Sequence, residues 1–167
     1  MIQTKSSIKT QQFSNVMPIW KFCILYVITY GFYAYAWGHK QWKFLKDREN
    51  LNINCWLRSI LFPFFMYGLY KKVFVVAERE GYRKKSSAFW GTVFYWSFGV
   101  VLLFSHNDLI GILSFLPLLP LLNAANYYWE QEQSHLPINT SFTIREVLWI
   151  LFGIFSWIGY LVYFSGA

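Results

Sequence analysis

The stretch ILYVITYGFYAYAWGHKQWKFLKDRE, residues 24–49, decides how this chain folds. It contains no charge as far as Trp37, and beyond that point basic residues alternate with apolar ones at helical spacing. An uncharged apolar run predicts a segment inside a membrane, and apolar residues recurring every three or four positions predict an amphipathic helix. We therefore expect a membrane segment that continues into a helix lying flat at the membrane surface. The apolar side of that helix comprises Trp37, Trp42, Phe44 and Leu45.

The composition of the whole chain favours the same environment. Of the 167 residues, 56% are hydrophobic, 23% are aromatic and 14% are charged, whereas a soluble domain has about 25% charged residues. Nine Trp, twelve Tyr and seventeen Phe are too many for a soluble core of this size. Tyr and Trp concentrate where hydrocarbon meets lipid headgroups. These observations predict an integral membrane protein.

The positive charge of the chain favours acidic lipid over nucleic acid as its counterpart. The formal net charge is +7, and the basic residues lie directly beside apolar runs, as expected for cytoplasmic residues facing acidic headgroups. No RNA-binding or DNA-binding signature accompanies them. Cys23 and Cys55 have neither zinc-ligand spacing nor a disulfide framework, so we expect them to act as small apolar residues.

Three regions follow one another along the chain. Residues 1–18 are polar and predict a flexible leader, residues 19–86 predict an apolar-then-basic hairpin region, and residues 87–167 predict a helical transmembrane bundle. The fold class that we expect is an all-α membrane protein. It would have about four membrane-spanning helices, amphipathic surface helices and one short re-entrant or interfacial segment.

A repeated pattern in the hairpin region indicates duplication. Residues 30–33 read YGFY and residues 67–70 read YGLY, each after an apolar run and before a basic segment. We expect residues 19–37 to form the first spanning helix, with Gly31 as a bend. The second apolar run, residues 56–70, is short and contains Pro63, which favours a re-entrant hairpin over a strongly tilted crossing.

The second half of the chain contains two uncharged runs that predict spanning helices. Residues 87–105 carry no charge, and 19 residues are close to the length that a crossing requires. Residues 143–164 predict the last spanning helix, with Thr143 as its N-cap.

Between these helices lies an apolar run that two prolines interrupt. Pro117 and Pro120 would bend residues 109–122 and leave backbone carbonyls without their usual donors. Asn123 and Asn126 are one helical turn apart, and we expect them to be membrane-embedded amides that supply some of these donors.

Charged residues beside the apolar runs are the candidate site residues. Charges there are costly unless they are paired or hydrated, and Arg58, Asp108, Arg145 and Glu146 are in this position. Snorkelling from a helix end explains each of them, and Arg58 could equally bind a headgroup phosphate. The predicted surface for lipid or a partner comprises Lys40, Lys43, Lys46, Arg48, Arg58, Lys71 and Lys72. Each lysine would contribute roughly 1 kcal/mol toward an anionic membrane surface, and topology anchoring explains the lysines equally well.

The sequence contains no motif that predicts catalysis or a bound metal. It has no G-x-S-x-G or H-E-x-x-H pattern. His39, His106 and His135 are widely separated and have no recognised ligand spacing. We therefore expect no cofactor, no metal and no enzymatic activity.

The order of several residues resembles a family of small, uncharacterised bacterial inner-membrane proteins. In that family a T-x-G-x-Y-x-x-Y-W type pattern precedes a basic helix, an Arg precedes an aromatic segment, and an F-L-P-L-L-P…N stretch follows. The matching residues are Thr29, Gly31, Tyr33, Trp37, Arg58, Pro117, Pro120 and Asn126. The resemblance covers about residues 20–165 and implies a polytopic membrane protein, with no catalytic residues to transfer.

Together these observations predict a multi-pass module of the bacterial inner membrane. We expect its basic, aromatic cytoplasmic face to engage anionic phospholipid or a partner membrane protein, as a homo-oligomer or an accessory subunit. A small transporter or channel around Pro117 and Pro120 is one alternative. A membrane enzyme acting on lipid is another, and it would require Arg58, His106, Asp108 or Glu146 to converge.

Overall fold

The computed structural model describes residues 13–83, 86–105 and 112–165, and within these ranges the chain is helical. The predicted all-α class is therefore confirmed. The helices are α1 (Ile19–Ile28), α2 (Tyr33–Glu49), α3 (Cys55–Ile60), α4 (Phe62–Arg79), α5 (Ala88–Ser105), a 3₁₀ helix (Leu113–Leu118), α6 (Leu119–Glu132) and α7 (Ile144–Ser165).

Helices α1 and α2 form a hairpin, which we call the first hairpin. Tyr30 and Gly31 have φ angles of 49° and 84°, and this left-handed backbone ends α1 and reverses the chain. Beyond the turn, Phe22 of α1 contacts Tyr33 and Trp37 of α2, at ring-centroid distances of 6.2 and 5.3 Å. The prediction of one spanning helix over residues 19–37 is therefore wrong. Helix α1 has 10 residues, which is about 15 Å of helix.

Helices α3 and α4 form a second hairpin, which turns at Leu61. Asn54 caps α3 by accepting a hydrogen bond from the Leu57 backbone N–H at 3.1 Å. Pro63 lies in the first turn of α4. Proline is tolerated there because the N–H groups of the first turn have no hydrogen-bond acceptor within the helix. The chain does bend within residues 56–70, but α4 then continues without a break to Arg79. The predicted short segment is thus α3 together with the first half of a longer helix.

The returning arms of the two hairpins, α2 and α4, run side by side in the same direction. Gly38 of α2 lies against the Phe62 ring, Trp42 lies against Gly68, and Glu49 pairs with Arg79. The two copies of the Tyr-Gly pattern occupy different places in this arrangement. The first copy forms a turn, whereas Gly68 is inside α4, so the two copies of the pattern differ in local structure.

Helix α5 runs antiparallel to α4, and the chain then returns through the 3₁₀ helix and α6. Gly91 packs against the Tyr70 ring, and Trp96 donates a hydrogen bond to the Pro63 carbonyl at 3.2 Å. Pro117 lies inside the 3₁₀ helix, and the Tyr70 hydroxyl donates to its carbonyl. The donor for this carbonyl is therefore a tyrosine on α4, and not the amide of Asn123 or Asn126 that we expected.

Helix α7 lies along α1 in a parallel orientation. Gly153 lets α7 approach the Ile28 backbone closely, and Trp157 donates a hydrogen bond to the Ile28 carbonyl at 3.0 Å. With 22 residues, α7 is about 33 Å long and extends past the turn of the first hairpin. Its predicted N-cap is confirmed, because Thr143 Oγ1 accepts a hydrogen bond from the Glu146 N–H at 3.4 Å.

Among the described residues, one helix is long and apolar enough to cross a membrane. It covers Ile144–Val162, and only 6% of its window is buried inside the protein. Ile19–Ile28 and Ala88–Val101 are shorter apolar helices. Judged by helix length and hydropathy, the described residues thus contain fewer spanning helices than the roughly four that we expected.

The core lies between the two hairpins and α6. Its fully buried side chains include Phe22, Trp42, Met66, Tyr70 and Leu121. Most of the predicted apolar side of α2 is buried, with Trp37 at 3% and Leu45 at 0% exposure. It faces other helices: Trp37 contacts Phe22 of α1, Trp42 lies against Gly68 of α4, and Phe44 contacts Tyr128 and Trp129 of α6. Helix α2 is therefore not a helix lying flat on lipid, since protein covers its apolar side.

The last residues of the predicted leader are packed against the fold. We call residues 13–18 the strap. Ser14 donates its backbone N–H to the Pro137 carbonyl at 2.9 Å. The side chain of Asn126 accepts from the Met17 N–H at 2.8 Å and donates to the Met17 carbonyl at 2.7 Å. The prediction of a flexible leader thus fails for residues 13–18, and residues 1–12 lie outside the described part of the chain.

Candidate functional site

The ion pairs among the described residues gather at one end of the bundle, which we call the charged end. There α2 and α4 finish, joined by Arg48–Glu80 at 3.1 Å and Arg79–Glu49 at 2.7 Å. Helices α1 and α7 begin on the same side of the bundle but beside Lys40, part of the way along α2, and they are joined by Lys21–Glu146 at 2.9 Å. The hairpin turns point toward the opposite end. Charge and apolar surface are therefore segregated along the bundle axis.

The Lys21–Glu146 pair is the most deeply buried of the three. The Lys21 side chain is 3% exposed and the Glu146 side chain is 12% exposed. Lys21 also donates to the Ser141 carbonyl at 2.8 Å, and Glu146 also accepts from the Thr143 N–H at 2.7 Å. These extra hydrogen bonds satisfy both charges in a site of low exposure. The pair fastens the base of the first hairpin to α7, so Glu146 is not a snorkelling charge.

Two arginines of the predicted surface make contacts inside the protein. Arg48 bonds Glu80 and the Tyr128 hydroxyl, and its guanidinium lies 4.7 Å from the Tyr128 ring centroid. Arg58 stacks on Trp42 at 4.5 Å and on Phe65 at 5.2 Å. Stacking leaves the N–H groups of a guanidinium free around its edge. Arg48 is therefore engaged within the fold, whereas Arg58 can still receive a phosphate.

The lysines of the predicted surface remain available. Lys43, Lys46 and Lys71 are exposed and Lys72 is half-buried, and none of them forms an ion pair with a residue that the structure describes. Part of the Lys40 side chain is exposed, but packing around its ammonium removes water and lowers the pKa, and Glu146 is an electrostatic neighbour. On α2 the lysines recur every three residues and share one face. We call Lys40, Lys43, Lys46, Lys71 and Lys72 the lysine surface.

The two predicted amides have separate roles. Asn126 is 9% exposed and holds Met17 of the strap. Asn123, one turn earlier on α6, lines a cleft of about 800 Å³ between the strap, the end of α4 and α6. We call this cleft the strap cleft. Tyr82 also lines it, and burial raises the pKa of this phenol above its ordinary value, so the hydroxyl stays neutral at physiological pH.

Several residues of the charged end were not predicted as site residues. They are Lys21, Glu80, Arg83 and Glu130. A signal existed for Lys21, because it is the only charge in an otherwise apolar run. No comparable signal existed for the others, since their importance comes from helices that meet at their ends. Arg145 is exposed at the start of α7, and His106 and Asp108 lie outside the described residues.

Among the residues that the structure describes, no group of three or more His, Cys, Asp or Glu side chains could hold a metal ion. Comparison of the chain with family models, with curated proteins and with solved structures found no match.

Proposed function

We propose that this protein is a non-enzymatic, polytopic membrane module whose lysine surface engages anionic lipid headgroups. The observation that carries this proposal is the outer surface of α7. Ile144, Leu148 and Phe155 are 84%, 60% and 81% exposed. Such a surface is costly in water and is the expected one in hydrocarbon. The apolar-then-charged segregation along the bundle agrees with the resemblance to small bacterial inner-membrane proteins.

The depth of the hairpins supports a specific arrangement in the bilayer. Tyr30, at the turn of the first hairpin, stacks on Trp157 with ring centroids 4.2 Å apart. Glu146 at the charged end and Trp157 are three helical turns apart, which is about 16 Å. This distance is about half of a hydrocarbon core of roughly 30 Å. The first hairpin would therefore enter from the charged side and turn near the bilayer centre. The second hairpin, whose Phe62 lies against Gly38 of α2, would turn at a shallower level.

The remaining helices would complete the crossings. Helix α5 has 18 residues, about 27 Å, and continues beyond the level of Pro63 at the second turn. Helix α7 extends beyond the first turn in the same direction, and the 3₁₀ helix with α6 returns the chain. This arrangement keeps both basic segments on one side, which the positive-inside tendency places in the cytoplasm.

The charges of the lysine surface explain why an anionic lipid is the favoured counterpart. Arg48 and Arg79 have carboxylate partners within the protein, whereas the lysines have no ion-pair partner among the described residues. An uncompensated lysine near the membrane surface contributes roughly 1 kcal/mol toward anionic lipid. A partner membrane protein with an acidic face would be recognised by the same charges.

The transporter alternative is less well supported, although Asn123 and Asn126 both line the strap cleft. Asn126 holds the strap, and Leu118, Leu121 and Leu122 beside the prolines are 0% exposed. The lipid-enzyme alternative requires convergent groups. Arg58 stacks on Trp42 while Glu146 pairs with Lys21, so these two predicted members serve different helix contacts.

Lipid retention measures the proposed function directly. The full chain is purified in mild detergent, mixed with phosphatidylglycerol and phosphatidylcholine of identical acyl chains, and examined by native mass spectrometry. Changing all five residues of the lysine surface to Gln should lower the retention of phosphatidylglycerol by about tenfold or more. Arg79→Gln and Arg145→Gln serve as controls for the loss of a positive charge elsewhere. An unchanged preference for phosphatidylglycerol in the five-residue variant would refute the proposal.

Two further experiments test the membrane location of the protein and the identity of its partner. Crosslinking in native membranes, with identification of the crosslinked chains, distinguishes a homo-oligomer from an accessory subunit. If the purified chain stays monodisperse in buffer without detergent, the membrane assignment is wrong.

A further inference from the structure

The strap cleft has walls that several hydrogen bonds hold in place. Asn126 fixes Met17 on one side through two bonds of 2.8 and 2.7 Å. On the other side the Tyr127 hydroxyl donates to the Glu80 carbonyl at 3.3 Å. Gly81 has a φ of 97° and turns the chain after α4 toward Arg83. The cleft is therefore built by the fold and does not depend on a bound ligand for its shape.

The lining of the cleft carries one charge of each sign. Arg83 follows α4 and Glu130 lies on α6, and both are exposed. Among the described ion pairs neither residue appears, so the two charges do not neutralise each other. Asn123 adds a half-buried amide that makes no hydrogen bond to a described residue. These groups offer a cation, an anion and an amide in one concave site.

One edge of the cleft opens onto the apolar outside of the bundle. Ile19 and Trp20 line the cleft and are 43% and 47% exposed. Amphipathic aromatic rings of this kind occupy the boundary between headgroups and hydrocarbon. A cleft of about 800 Å³ falls within the range of small-molecule sites. A ligand with a charged head in the cleft could thus extend apolar chains along the outer surface of α1.

We propose that the strap cleft binds a phospholipid whose headgroup carries both a phosphate and a primary ammonium, as phosphatidylethanolamine does. The Arg83 guanidinium receives the phosphate, since planar guanidinium groups bind phosphate oxygens in pairs. The Glu130 carboxylate accepts hydrogen bonds from the ammonium. A purely anionic headgroup would meet the negative charge of Glu130. This site is separate from the lysine surface and selects a different lipid.

Competitive retention of three lipids tests the site. The full chain in mild detergent is given equal amounts of phosphatidylethanolamine, phosphatidylcholine and phosphatidylglycerol with identical acyl chains, and bound lipid is counted by native mass spectrometry. Arg83→Gln and Glu130→Gln should each lower the retention of phosphatidylethanolamine by about tenfold, because each removes one charge-assisted contact. Matched controls are Arg145→Gln and Glu132→Gln, which make the same changes outside the cleft.

The outcomes separate this proposal from the proposed function. Equal retention of phosphatidylethanolamine and phosphatidylcholine by the unaltered chain would overturn it, because the trimethylated group has no N–H to donate to Glu130. A loss in Arg83→Gln without any loss in Glu130→Gln would also overturn it and leave a simple anion site. Complete displacement of the lipid by an equal concentration of glycerophosphoethanolamine would overturn the lipid assignment. The five-residue lysine variant should keep its phosphatidylethanolamine, whether or not it loses phosphatidylglycerol.

Discussion

The two hairpins are built from similar sequence but turn in different ways. The first hairpin reverses through left-handed Tyr30 and Gly31, whereas the second turns at Leu61, whose φ is −93°. At Gly31 an added Cβ would lie 3.1 Å from the Tyr26 ring, while at Gly68 it would lie 3.7 Å from Trp42, an ordinary contact. The comparison shows that the position of a glycine in its fold, and not its neighbours in sequence, decides what it does.

The hairpins also differ in how their bases are fastened. The first is joined to α7 by the Lys21–Glu146 pair, in which the lysine is 3% exposed. The second meets α2 through Arg79–Glu49, in which the arginine is 55% exposed. Buried pairs are costly to break, because the remaining charge has no solvent, whereas exposed pairs contribute little. The first hairpin should therefore be much more sensitive to the loss of one charge.

Removal of the buried lysine is expected to lower the stability of the protein more than the other changes do. Lys21→Met should lower the free energy of unfolding by about 3 kcal/mol, because Glu146 loses its counter-charge in a poorly hydrated site. The measurement is unfolding in detergent by titration with sodium dodecyl sulfate, followed by circular dichroism. Lys43→Met makes the same change at an exposed lysine and should have almost no effect. Equal effects at both positions would show that the Lys21–Glu146 pair contributes no more to stability than an exposed, unpaired lysine.

The two matched glycines should respond to alanine with opposite signs. Gly31→Ala should destabilise the protein by about 1 to 2 kcal/mol, because an L residue is strained at a φ of 84°. Gly68→Ala should stabilise it by up to about 1 kcal/mol, since alanine favours a helix interior and the space is sufficient. The same detergent titration measures both variants. Two changes of the same sign would mean that the repeated pattern has one structural role after all.

Loss of the exposed ion pair has the smallest expected effect. Arg79→Gln should lower the free energy of unfolding by about 0 to 1 kcal/mol, as is usual for pairs in contact with water. Raising the salt concentration should remove most of this difference, because exposed pairs are screened. The titration is repeated at low and high salt. If Arg79→Gln lowered the free energy of unfolding as much as Lys21→Met does, the two hairpins would depend equally on their ion pairs.

Much of the helical framework follows from sequence patterns. The uncharged run predicted over residues 87–105 matches α5 (Ala88–Ser105), and Thr143 begins the last helix as expected. The apolar side of α2 was also correct. These features depend on local spacing and capping, which a sequence displays directly.

The turn of the first hairpin was missed because local sequence does not distinguish a bend from a reversal. A single glycine in an apolar run is compatible with both, and Tyr30 gives no sign of its positive φ. What stabilises the reversal is distant in sequence: Phe22 packs against Trp37, and Trp157 bonds the Ile28 carbonyl.

The partners of the candidate site residues could not be read from the sequence for a similar reason. Arg48 meets Glu80, and the cleft assembles Arg83 with Glu130, only after α4 and α6 end at the same level. The lysine surface was easier to predict, because exposed residues on one helix face depend on periodicity alone.

The two hydrogen bonds between Asn126 and Met17 have a consequence for folding during synthesis at the ribosome. Met17 is translated early, yet its two hydrogen-bond partners arrive only when α6 has emerged, and the counter-charge of Lys21 arrives later still with α7. Until then the residues around Met17 and Lys21 lack these contacts. Closure of the N-terminal strap is therefore a late event of biogenesis, and a chain truncated before α7 would leave the first hairpin unfastened.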